Sequence, residues 1–90
     1  MSTSTIRVKV LFFATLKERA GVKEIDMDIQ ESIPVLQFKD FLGTRYPALQ
    51  EALPSALISI NHEYAFDQDL IPEDAEIAIF PPVSGGSQIS

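Results

Sequence analysis

The sequence predicts an α+β fold: a mixed sheet of about five strands with one main helix and short helical turns. Three observations lead there. Apolar and polar residues alternate over several short runs, which is the period of a half-buried strand. One segment, from Ser32 to Arg45, instead repeats its apolar residues at helical spacing. The chain has 90 residues, enough for a single domain that buries about 60–65% of its unfolded surface. A compact core is expected, and a deep active site of its own is not.

Residues 1–5 are a short polar lead-in, of the kind that frays. The domain proper spans residues 6–84. In Ile6–Phe13, alternation places Ile6, Val8, Val10 and Phe12 on one face and Arg7, Lys9, Leu11 and Phe13 on the other. Residues 14–20 read as a short helical turn closed by Gly21. Glu24–Ile29 is a strand with Ile25, Met27 and Ile29 inward. The main helix follows, with Ser32 as its expected N-cap and Pro34 in the first turn. Val35, Phe38, Phe41 and Leu42 form its expected buried stripe. It ends before Pro47, which disfavours helical backbone at Tyr46. Ala56–Ile60, Tyr64–Phe66 and Glu76–Phe80 are the remaining strands, separated by turns at Asn61-His62-Glu63 and Pro72-Glu73-Asp74. One helix crossing a small mixed sheet is the β-grasp (ubiquitin-like) arrangement.

Composition narrows the function. The chain is 46% hydrophobic and 22% charged, too apolar for a disordered segment. It has no cysteine, which removes disulfides, thiolate chemistry and Cys-ligated metals. The formal charge of −6 opposes nucleic-acid binding and suits a basic partner surface. No basic leader or membrane-length apolar run is present, so a cytoplasmic location and no membrane contact are expected.

Residues for autonomous catalysis are lacking. His62 is the only histidine and reads as a solvated turn residue, so no metal site and no catalytic triad can be assembled around it. Asp67 with Asp69, and Glu73 and Asp74 with Glu76, lie in turn sequence without the spacing of a calcium loop. They read as solvated carboxylates. Phe80 carries more information. If Ile77 and Ile79 face the core, Phe80 faces out beside the tail as a docking anchor, with Leu11 and Phe13 on the same face. A local twist that tucks Phe80 inside is the alternative. Pro81 and Pro82 stop the strand and stiffen its exit. Gly85 and Gly86 have no side chains and could thread a narrow channel. On composition alone, they equally fit an ordinary chain end.

Two end motifs bring in a resemblance. Leu11-Phe12-Phe13-Ala14, followed by Leu16-Lys17-Glu18 and Gly21, resembles the opening of the MoaD family, the small subunits of molybdopterin synthase. Glu76-Ile77-Ala78-Ile79-Phe80-Pro81-Pro82-Val83-Ser84-Gly85-Gly86 resembles that family's ending closely. The related ThiS carriers share the Gly-Gly end but usually lack the opening segment. The resemblance implies a sulfur carrier that binds no cofactor itself. An E1-like adenylyltransferase of the MoeB type would use ATP to adenylate the Gly86 carboxylate. A sulfur donor would then convert it to a thiocarboxylate. The charged tail would enter a MoaE-like large synthase subunit to build the dithiolene of molybdopterin. Gly86 would be the acyl terminus and Gly85 its access residue, with Phe80, Pro81, Pro82, Val83, Leu11 and Phe13 meeting partners. The alternatives are sulfur delivery to thiamine, cysteine or tRNA thiolation, a ubiquitin-like protein modifier, and a non-catalytic interaction module.

The sequence departs from the pattern at one point. Gly86 is followed by Ser87-Gln88-Ile89-Ser90, so its carbonyl lies in a peptide bond and cannot accept AMP. Removal of residues 87–90 by a processing protease is the leading expectation. Loss of sulfur carriage and an artefactual chain end are the other two.

Overall fold

The computed structural model describes residues 4–82. Strand β1 (Thr5–Phe12) opens one residue earlier than expected. It buries Ile6, Val8, Val10 and Phe12 and leaves the residues between them exposed or half-buried. The alternation follows from the two-residue period of extended chain. Strand β2 (Glu24–Gln30) pairs with it antiparallel, setting Met27 against Val8 and Ile29 against Ile6 on the core face. Between them, helix α1 (Thr15–Ala20) buries Leu16 and ends at Gly21. Gly21 has φ 81 and its N–H reaches the Lys17 carbonyl, the left-handed stop that glycine makes without strain.

Strands β3 (Leu57–Ile60) and β4 (Glu63–Ala65) form a hairpin. Asn61 and His62 both have positive φ, 52 and 75, as a two-residue type I′ turn requires. Strand β5 (Glu76–Phe80) runs parallel to β1 and antiparallel to β3. The sheet order is β2-β1-β5-β3-β4. The last strand in sequence therefore lies at the centre of the sheet. Its exit is held by neighbours on both sides.

Helix α2 (Val35–Arg45) crosses the inner face and buries Val35, Phe38, Lys39, Leu42 and Gly43. Three details depart from the sequence expectation. Ser32 is not the N-cap; it sits in the preceding turn with φ 64, and extended Pro34 precedes the first helical residue. The helix start is satisfied by loop carbonyls instead: Val35 N–H donates to Asp69 O (2.9 Å) and Leu36 N–H to Asp67 O (3.0 Å). Phe41 leaves the buried stripe and is 42% exposed, because positions 35, 38, 39, 42 and 43 centre that stripe on the other side of the helix. Lys39 takes a core position in its place. Its stem is buried, and Nζ donates to Ala56 O (3.2 Å) and lies 3.5 Å from Asp67 Oδ1. A buried ammonium needs such partners.

Gly43 also has a packing reason. A Cβ there would lie 3.2 Å from Gln50 Cγ and 3.5 Å from Leu53 Cδ1, where two 3-10 turns (Pro47–Leu49 and Leu53–Ser55) fold against the helix. No helix among the described residues is long and apolar enough to cross a membrane.

Candidate functional site

Exposure alternates along β5. Ile77 and Ile79 are fully buried, whereas Glu76, Ala78 and Phe80 are half-buried on the outer face of the sheet. Phe80 therefore points away from the core, but it does not stand free. Its ring stacks on Phe13, with centroids 4.7 Å apart and planes 14° from parallel. Phe13 is 40% exposed, and its N–H donates to the Ile79 carbonyl (3.2 Å). That bond continues the β1–β5 ladder one residue past the strand and fixes the two rings side by side.

Neighbouring strands widen the patch. Leu11 is half-buried opposite Ala78, and Leu57 is exposed opposite Phe80. Tyr64, on β4, shares a 260 Å³ hollow with Ser59, His62 and Phe80. Leu57 and Tyr64 were not among the residues expected from sequence. Period-2 alternation about Ile58 puts Leu57 outward, but its meeting with Phe80 depends on β3 lying beside β5.

The other half of the outer face is charged. Arg7 and Lys9 stand opposite Asp28 and Asp26, and Arg7 Nε is 3.2 Å from Asp28 Oδ1.

The polar candidates are occupied or dispersed. His62 is largely exposed, with Glu76 Oε1 at 3.9 Å. Asp69 Oδ2 accepts from the Phe66 N–H (2.7 Å), while Asp67 faces Lys39. Among the described residues, no group of three His, Asp or Glu side chains is placed to hold a metal. What the geometry offers is a semi-rigid aromatic and aliphatic surface at the end of a central strand. Preordered aromatic anchors of this kind suit protein docking. Pro81 is half-buried and Pro82 exposed where the chain leaves this surface. Val83, Gly85 and Gly86 lie outside the described residues.

A mixed five-stranded sheet, one main helix on its inner face and the C-terminal strand at its centre define a ubiquitin-like β-grasp domain. The chain belongs to the ThiS family, whose profile matches residues 10–86. It is 32% identical over 84 residues to the molybdopterin synthase sulfur carrier subunit of Arabidopsis thaliana, covering 93% of this chain and 88% of that protein. It is 40% identical over 82 residues to the corresponding Dictyostelium discoideum subunit, with 87% and 94% covered. The solved H. volcanii small archaeal modifier protein 1 superposes with a TM-score of 0.76 at 26% identity, covering 87% of this chain and 99% of that one.

Proposed function

We propose that this chain carries sulfur for molybdopterin synthesis as the small subunit of a two-subunit synthase. One observation supports this above the others: the likeness to sulfur carrier subunits takes in the aromatic strand end, and the family match runs through to Gly86. The chain supplies a terminus and a docking face; the chemistry takes place on its partners.

The steps follow from carbonyl chemistry. Hydrolysis of the Gly86–Ser87 bond by a processing protease frees the Gly86 carboxylate. On an E1-like adenylyltransferase of the MoeB type, a carboxylate oxygen attacks the α-phosphate of ATP and pyrophosphate leaves. A nucleophilic sulfur from the donor attacks the acyl carbon and displaces AMP. With a persulfide donor this step forms an acyl disulfide. A second thiol then attacks the donor's own sulfur, so that a donor disulfide forms, the S–S bond to the acyl group breaks and the thiocarboxylate leaves. A MoaE-like large subunit then receives the tail. Phe80, Phe13, Leu11, Pro81, Pro82 and Val83 dock on the partners, and Gly85 lets the backbone approach closely. Gly86 lies four residues beyond Pro82, a reach of at most about 14 Å at full extension. The docking face must therefore sit close to the partner's reactive centre.

The test is intact-mass analysis with the cognate adenylating enzyme, ATP and a sulfur source. A chain ending at Gly86 is expected to exchange one oxygen for one sulfur, while the chain ending at Ser90 remains unchanged. No sulfur gain by the Gly86-ended chain would sink the carrier reading. Gain by the unprocessed chain would remove the need for a protease.

A further inference from the structure

The β2 edge of the sheet combines three features that the sulfur-carrier reading does not use. Among the described residues β2 pairs only with β1, which leaves one side of a seven-residue strand without a strand partner there. The ladder shows which residues face that side. Phe12 N–H donates to Lys23 O and Glu31 N–H to Ser4 O. Odd-numbered residues thus bond to β1, and the N–H and C=O of Glu24, Asp26, Asp28 and Gln30 point to the open edge. Three of these four also carry carboxylates on the outer face. Of those three, only Asp28 has a salt-bridge partner among the described residues.

The inner side of the same edge is apolar and incompletely covered. Ile25 is half-buried. Phe41, displaced from the helix's buried stripe, is 42% exposed. With Ile29, Ile33 and Gln37 it borders a 340 Å³ cleft between α2 and the Thr5 end of the sheet. A strand added beside β2 would place alternate side chains over this cleft and the others beside the carboxylates.

We propose that the β2 edge accepts an extended partner segment in which basic and apolar residues alternate. The residue directly opposite Asp26 shares its face at close range, where opposite charges attract and like charges repel. A second copy of β2 is a poor occupant, because it would bring acidic residues against acidic residues. The alternative is that the carboxylates only guard the edge against pairing, a known use of charge on edge strands. Guarding predicts that no strand binds; the proposal predicts that a basic one does.

The probe is a capped octapeptide alternating Lys and Val, titrated into the isotope-labelled full chain by NMR. Shift changes are expected along residues 24–30 and at Phe41, with slowed amide exchange at Asp26 and Asp28. Asp26→Lys is expected to weaken binding on the order of fivefold, and Asp26→Asn by less. Circular dichroism checks that each variant is folded. A Glu-Val peptide should not bind. N-methylation of the peptide amides facing β2 should abolish binding. The proposal is overturned if the Lys-Val peptide fails to bind, if its shifts map to Phe13 and Phe80 instead, or if an all-Lys peptide binds equally well. Concentration-dependent self-pairing through β2 would also overturn it.

Discussion

The inner and outer faces of the sheet are built from alternate residues of the same strands, yet they differ in kind. The inner face is apolar throughout, and at its centre Val8, Val10, Ile58, Ile77 and Ile79 are each at most 2% exposed beneath α2. The outer face is divided. Arg7, Lys9, Asp26 and Asp28 occupy one part, while Leu11, Phe13, Leu57 and Phe80 occupy another. Stability therefore resides mainly on one face, and the proposed recognition falls on the other. Because successive side chains on β5 alternate between these tasks, adjacent substitutions should have separable effects.

The largest expected effect is on the inner face. Ile79→Ala removes a fully buried side chain from the central strand and should cost about 3 kcal/mol of stability, within the range for such cavities. For a domain this small, each kcal/mol lowers Tm by roughly 4–8 °C. Calorimetry or urea unfolding measures the loss. A loss under about 1 kcal/mol would mean that the core around β5 is not closed as described.

One residue on, Phe80→Ala should reverse the balance. Losing the Phe13 stack and a half-buried ring should cost on the order of 1 kcal/mol of stability. Affinity for the large synthase subunit should fall about 30-fold, or ~2 kcal/mol, as for a central interface anchor. Calorimetric titration beside a melting curve separates the two effects. Unchanged affinity with a collapsed Tm would place Phe80 in the core's service.

How far the sequence disclosed these features depends on their range. Strand alternation is local, so Ile77 and Ile79 inward and Phe80 outward could be read directly. The Gly21 stop was equally legible. The union of Phe80 with Leu57 and Tyr64 was not, because it depends on β5 entering the sheet between β1 and β3. The core position of Lys39 is not legible in the sequence, because a charged residue fits there only once Ala56 O and Asp67 are near. That Phe41 lies off the buried stripe is not legible either, because residue type alone does not fix which side of α2 is buried. Ser32 looked like a cap, but carbonyls from a distant loop supply that function. Of the candidate site, the fold gives the outward position of Phe80 and its stack on Phe13, while docking there stays a proposal. The Gly85-Gly86 pair rests on its motif.

The smallest expected effect concerns the charged part of the outer face. The Arg7–Asp28 contact is 3.2 Å long, but its side chains are 64% and 56% exposed. Such pairs contribute about 0–1 kcal/mol and weaken in salt. Arg7→Ala should therefore change stability by no more than about 0.5 kcal/mol, and a double-mutant cycle with Asp28→Ala should give a similarly small coupling. The same variant has a second expected consequence. Arg7 competes for Asp28 with any cation arriving at the β2 edge, so Arg7→Ala should tighten binding of the Lys-Val peptide while leaving Phe80-dependent partner binding unchanged. If Arg7→Ala instead weakened the peptide, the arginine would be a contact rather than a competitor. The charged part of the face would then act as a mixed-charge surface, not an acidic one.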